Sequence, residues 1–201
     1  MKLKYHFLSG LILACGLGLS SCNDSFLERN PKDQLSDVSF WKTADDANKY
    51  ATGIYLYLIE PENHTIMTDC YTDNAIPVHV GAEQGVLSAG TAVSSNPHFL
   101  QLWQAAYETI RRCQIFYEHI GEVSMNEKAK AQLTAEVQFL EAFAYHNLWK
   151  YMGGVPILDH PLQLNEPLPA RSSAEETYEY VVKLLAKAAP NLPVIRTAAD
   201  H

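Results

Sequence analysis

"AEVQFLEAFAYHNLWKYMGGVPIL", residues 135 to 158, is the stretch on which the fold turns. With Leu133 just before it, Val137, Leu140, Ala144, Leu148 and Tyr151 recur at helical spacing, which predicts a helix from about Asn126 to Met152. Phe139, Phe143 and Tyr145 widen that apolar stripe. A helix apolar over so broad an arc is expected to be buried against several neighbours. These large residues are therefore read as core rather than as ligand contacts, and His146 as a core histidine bonded to a carboxylate or carbonyl. Gly153 and Gly154 supply backbone freedom for a C-cap, and Pro156 forbids the helix to resume.

Outward from this helix, the chain repeats the same grammar. Thr43 precedes an apolar-periodic run through Ala47, Tyr50, Ile54, Tyr55 and Leu58, with Asp46 placed for an approximate capping box and Pro61 as a stop. Asn96-Pro97 pairs a cap residue with proline at the first helical position. The stripe that follows, Leu102, Trp103, Ala106, Tyr107, Ile110, Cys113 and Tyr117, runs to Gly121. A further helix starts at Ser172 or Ser173, each followed by glutamate three residues on, and its expected face is Tyr178, Val181, Val182, Leu185, Ala188 and Ala189. Pro190 and Pro193 close it. The fold class is mainly α, with helical hairpins of the kind that stack in tetratricopeptide-like solenoids, although a clean repeat of about 34 residues is missing.

Between Pro61 and Asn96 the periodicity disappears and small residues dominate. A loop of this length inside a compact domain is often functional, and short strands around residues 76–80 are a second reading. Tyr71, Asp73, Asn74 and His79 are the candidate ligand contacts there, able to stack on and hydrogen-bond a polar ligand such as a sugar. A solvated connection laid over the helices is the competing reading.

At the amino end, Lys2 and Lys4 precede an apolar run from Phe7 to Leu19, the layout of a secretory signal. The run is shorter than the roughly 20 residues that cross a bilayer. Leu19-Ser20-Ser21-Cys22 resembles the lipobox of bacterial lipoproteins, which implies cleavage before Cys22 and acylation of its sulfur and new amino group. A soluble secreted protein with a chance cysteine is the alternative. The chain carries a formal charge of −8. Loss of residues 1–21 removes two lysines and no acid, leaving 13 basic residues against 23 acids and a charge of −10. No basic tract exists, which argues against nucleic-acid binding by phosphate neutralisation. Of the four cysteines, Cys70 and Cys113 remain after Cys15 and Cys22 are assigned. Export permits a disulfide between them, and burial as free thiols is the other possibility.

Catalytic patterns are not found. The eight histidines are scattered without a metal-type pair, and neither a G-x-S-x-G elbow nor a P-loop occurs. The carboxylates Asp69 and Asp73 lie at helical spacing, and Glu136 with Glu141 flanks a buried stripe, but acids on an acidic protein are expected mostly to face water. The sequence is read as a non-enzyme with no cofactor and no metal.

Four stretches carry a family resemblance. "DSFLERNPKDQLSDVSFWKTADDANKYATGIY" (24–55), "LWQAAYETIRRCQIFYEHI" (102–120), "AEVQFLEAFAYHNLWKYMGGVPIL" (135–158) and "RSSAEETYEYVVKLLAKAAPNLP" (171–193) resemble, in order, the signatures of the RagB/SusD family of outer-membrane nutrient-binding lipoproteins. Gln114 stands where that family usually has Asn, which puts a backbone cap by that amide in question, and Glu141 where it commonly has arginine, which removes a salt bridge from that site. The resemblance implies a lipoprotein signal over 1–21, a lipidated segment over 22–42, and a SusD-like helical domain over 43–201. It implies glycan or nutrient binding at the cell exterior, tethering to the outer membrane through Cys22, and a SusC-like TonB-dependent transporter as partner. Family members continue for several hundred residues, so the expectation is a truncated product or gene fragment whose ligand site is incomplete. A lipid-anchored helical-repeat adaptor that binds protein rather than glycan is the alternative function.

Overall fold

The computed structural model describes residues 40–58, 68–72, 74–75 and 83–194. The chain divides into two units, Met1–Phe40 and Trp41–His201, and the described residues belong, Phe40 apart, to the second. The leader, Cys22, Asp73, His79 and the segment 76–80 lie outside the described residues.

Among the described residues the regular elements are helices: α1 (Ala44–Leu58), α2 (Glu83–Ser88), α3 (Pro97–His119), α4 (Glu127–Met152) and α5 (Ala174–Ala188), with 3₁₀ turns at Thr68–Tyr71, Ile120–Glu122 and Ala189–Asn191. The four long ones begin where the cap residues stand. Thr43 Oγ1 donates to Asp46 Oδ2 at 2.7 Å, and the Asp46 N–H returns to Thr43 Oγ1 at 3.3 Å. Asn96 Oδ1 accepts from the His98 N–H, and Asn126 Oδ1 from the Lys128 N–H. Ser173 and Glu176 close a reciprocal capping box, which satisfies two otherwise orphaned donors at one helix end. At the other ends the two glycine stops differ. Gly153 takes φ +69° as the C-cap of α4, whereas Gly121 stays out of the left-handed region and α3 runs on into a 3₁₀ turn.

Helix α4 is the axle of the unit, packed against α1, α3 and α5. This explains why its buried residues fall on several faces: Leu133, Ala135, Val137, Leu140, Ala142, Ala144, Tyr145 and Leu148 are all shielded. Trp41, from the Phe-Trp-Lys-Thr stretch, is buried and stacks on His119 with ring centroids 4.9 Å apart, tying the start of the unit to the end of α3. A parallel bridge between Thr43 and Ser124 adds a second tie.

Several expectations are corrected. Phe139 and Phe143 are exposed, not core, and His146 lies at the surface beside Trp149 at a centroid distance of 6.0 Å. On α5 the buried face is Thr177, Val181, Leu184 and Ala188, so Tyr178, Val182, Leu185 and Ala189 point outward. The reason is shared: both helices carry more apolar residues than their neighbours cover, and the neighbours present select the inner set. Glu141 does not face water but is fully buried, and Glu136 is half-buried and accepts from Tyr55 at 2.6 Å. Of the two readings for Cys70 and Cys113, burial as free thiols is the one the structure has. The featureless loop contains one short helix, α2.

Candidate functional site

The α4–α5 connection builds the site. Gly153 reverses the chain, and Gly154 then passes so close to the start of α5 that a methyl group on it would overlap the Ser172 carbonyl and come within 2.8 Å of the Ala174 nitrogen. Val155 docks there through its N–H on Thr177 Oγ1 at 3.2 Å and its carbonyl under the Ser172 N–H at 3.2 Å. Arg171 donates to the carbonyls of Gly154 and Met152, filling acceptors that the end of α4 leaves open. Leu158 is gripped from both sides: its N–H donates to Tyr145 Oη at 2.9 Å, and its carbonyl accepts from Gln114 Nε2 at 3.1 Å. Gln114 therefore does cap backbone in place of the family's asparagine.

Beneath Leu158 lies a buried polar knot. Glu141 accepts from Gln114 at 2.9 Å, Tyr117 at 2.9 Å and Tyr180 at 3.1 Å, which joins α3, α4 and α5. Burial pushes its carboxyl up to about 7, against the downward pull of these hydrogen bonds and of Lys187. Burial likewise raises the Tyr117 and Tyr180 hydroxyls above the ordinary tyrosine range. The Cys113 thiol, against the Val137 carbonyl, is raised by burial and then by Glu141, so it is an inert thiol.

Two hollows flank Trp103 on the outer side of this connection. The larger, about 660 Å³, is lined by Ser94, Ser95, Phe99, Leu100, Trp103, Tyr151, Met152 and Arg171. It combines flat aromatic faces with two hydroxyls and a guanidinium. The smaller, about 380 Å³, is walled by Tyr107, Arg111, Pro156, Leu158, Leu162 and Leu168 among others and is almost wholly apolar. Trp103 and Tyr107 stand one helical turn apart with centroids 4.8 Å apart. Tyr107 is fixed by its hydroxyl on the Pro156 carbonyl at 2.7 Å, and Arg111 by its guanidinium on the Leu162 carbonyl at 3.0 Å.

Of the residues singled out in the loop, Tyr71 and Asn74 are described. Tyr71 is half-buried, its hydroxyl 3.3 Å from His98 Nε2, and His98 in turn meets Tyr151 edge-on at 6.2 Å. Tyr71 thus stands behind the larger hollow, one ring removed from its wall. Asn74 is exposed in a turn, its N–H on Thr72 Oγ1. The lining residues Ser94, Ser95, Phe99 and Leu100 carry no pattern that marks them in the sequence, where Trp103, Tyr107 and Tyr151 read as core. The available signal is an excess of aromatics at the start of α3, beyond what one buried stripe requires. Among the described residues no group of three or more His, Cys, Asp or Glu side chains is arranged to hold a metal ion, and no helix is long and apolar enough to cross a membrane.

A family of SusD-like proteins, described as starch-binding and associating with the outer membrane, matches residues 25–198. The chain belongs to the SusD-like family. A SusD-like protein of Formosa agariphila is 28% identical over 202 residues, covering 96% of this chain and 39% of its own length. A SusD-like protein of Bacteroides fragilis has a crystal structure with 28% identity and a TM-score of 0.74, covering 85% of this chain and 34% of the other. Surface glycan-binding protein A from Bacteroides thetaiotaomicron, solved in complex with laminarihexaose, shares 22% identity and a TM-score of 0.64 over 79% of this chain and 35% of its own; this likeness is one of fold alone. The SusD-like chain thus spans about two fifths of the length of the curated relative from Formosa.

Proposed function

We propose that this SusD-like chain captures an oligosaccharide at the outer surface of the cell and passes it, chemically unchanged, to a SusC-like TonB-dependent transporter, while acyl chains on Cys22 tether it to the outer membrane. The observation that carries the reading is the larger hollow beside Trp103. Sugar rings present C–H faces that stack on aromatics and hydroxyls that need oriented polar partners, and such sites are mostly apolar walls with a few polar groups. Trp103, Phe99 and Tyr151 supply the faces, Ser94 and Ser95 the hydroxyls. Arg171 is engaged by the Met152 and Gly154 carbonyls and serves to hold the wall in position. Tyr71, Asp73, Asn74 and His79 belong to the neighbouring loop as candidate further contacts, and Tyr71 sets His98 behind Tyr151. The laminarihexaose complex of a relative makes β-glucan oligosaccharides the first ligands to try.

Calorimetry against a panel of oligosaccharides tests it. A glycan that binds should lose about tenfold or more in affinity on Trp103→Ala, because aromatic anchors are worth on the order of 2 kcal/mol in such sites, while Phe139→Ala, at an exposed position that does not line the hollow, leaves binding unchanged. Equal affinity in both variants would remove the hollow from the reading. A second reading, a protein-binding adaptor, draws on the exposed Phe139, Phe143, Tyr178, Val182 and Leu185 of α4 and α5. Retention on no glycan, with a transporter still co-purifying from membranes, would favour it.

A further inference from the structure

The chain between Val155 and Ser172 leaves the α4–α5 hairpin and forms the outer wall of the smaller, apolar hollow through Leu162 and Leu168. It is anchored through the backbone of Leu158 on Gln114 and Tyr145, through the Leu162 carbonyl on Arg111, and through the Arg171 guanidinium on the end of α4. On either side of Leu162, the stretch from Asp159 to Glu166 carries a second set of bonds of its own. His160 Nδ1 lies 2.6 Å from Asp159 Oδ1, and His160 Nε2 lies 2.7 Å from Glu166 Oε1. The second Glu166 oxygen accepts the Gln163 N–H at 3.1 Å, and the Glu166 N–H returns to the Gln163 carbonyl at 3.0 Å.

A carboxylate can only accept, so both ring nitrogens must donate at once, and only the imidazolium does that. A neutral ring would turn a lone pair toward one of the two carboxylates. We propose that His160 is a proton-operated staple that closes residues 159–166 on themselves, the stretch that walls the apolar hollow through Leu162, and lets them loosen when it loses its proton. The staple is independent of what the larger hollow binds.

The surrounding charges agree. The hydrogen bonds that His160 donates to Asp159 and then Glu166 raise its pKa above the ordinary value, and both carboxylates are held low, Asp159 chiefly by His160 and Glu166 by the Gln163 N–H and then His160. A histidine with a raised folded pKa contributes closure that is complete below the unfolded value and lost as pH rises through the folded one. From the elements packed against the loop, α3 brings Arg111 on the Leu162 carbonyl and Tyr107 on the Pro156 carbonyl. Helix α5 brings Tyr180, which senses Asp159, and α4 brings Glu141, which reaches Leu158 through Gln114. Glu141, whose carboxyl burial pushes up to about 7, must be controlled for. The staple is also solvent-exposed, the ring half open and Asp159 almost wholly so, and added salt should weaken it.

The test is amide hydrogen exchange at Gln163 and Glu166 with a parallel NMR titration of His160, on the whole chain. Corrected for intrinsic base catalysis, protection at Gln163 should fall by about two- to fivefold across the His160 titration, the range that an exposed ion pair commands. The fall should persist in Glu141→Gln and vanish in His160→Gln. Glu166→Gln should lower the His160 midpoint and reduce protection already in acid. Protection that follows the same course in wild type and His160→Gln, or a midpoint unmoved by Glu166→Gln, overturns the proposal.

Discussion

Glu141 sits where a carboxylate is costly, and its cost depends on its proton. Its folded pKa of about 7 stands above the ordinary glutamate value of 4.5 because burial outweighs the three hydrogen bonds. With the folded value raised, stability from this group is fully present below pH 4.5 and drains away as pH rises to about 7. Thermal unfolding of the wild type should therefore show a loss on the order of 3 kcal/mol across that window, because each tenfold change in proton affinity on folding is worth about 1.4 kcal/mol. Glu141→Gln should flatten the profile, since an amide still accepts from Gln114 and Tyr180 and gives an N–H to the Tyr117 oxygen. Glu141→Leu should be worse than Glu141→Gln at every pH, because it strands Gln114, Tyr117 and Tyr180; each buried unpaired group costs about 1–3 kcal/mol. A flat wild-type profile would mean that the carboxylate stays ionised throughout.

At the scale of elements, the two adjacent glycines do different work, and only one is legible in the sequence. Gly153 has the positive φ that a Gly-Gly-Val-Pro stop announces. Gly154 is needed for space, because α5 begins against its Cα. Gly154→Ala should push α5 off α4 and cost about 1–3 kcal/mol, as overpacking does, and Thr177→Val, which leaves the buried Val155 N–H unpaired, should cost about 1–3 kcal/mol as well. Urea midpoints of the two variants check both, and an unaltered midpoint in Gly154→Ala would disprove the close approach. Helix starts are readable from Thr43, Asn96, Asn126 and Ser173 because a cap is a local contract between a side chain and the next turn. The inward faces of α4 and α5 are not. Phe143 and Tyr178 are as apolar as Leu148 and Val181, and only the position of a third helix separates them. Helix α2 escapes a periodicity reading because Gly85 and its six-residue length leave no period to detect.

The whole molecule explains why the site is hidden from sequence where the scaffold is not. The larger hollow draws on residues 94–103 before and within α3, on Tyr151 and Met152 at the end of α4, and on Arg171 before α5, three stretches that sequence places far apart. Trp103 reads as core at its own position and becomes a wall only because the α4–α5 connection stands off from it. The proposed anchor, in contrast, is read from the sequence because a lipobox is linear. Its consequence is physical: one acyl chain binds a bilayer marginally, whereas several, at about 0.8 kcal/mol per buried CH₂, hold it firmly. Cys22→Ser should therefore move the expressed chain from the detergent-rich to the aqueous phase on phase partition while leaving its circular dichroism unchanged, since the buried core of the described residues is made by the helices from Trp41 onward. Intact-mass measurement of the wild type should find acyl chains on a polypeptide that starts at Cys22, and a bare sulfur at that position, with the leader uncut, would end the lipoprotein reading while leaving the helical fold and the hollow beside Trp103 untouched.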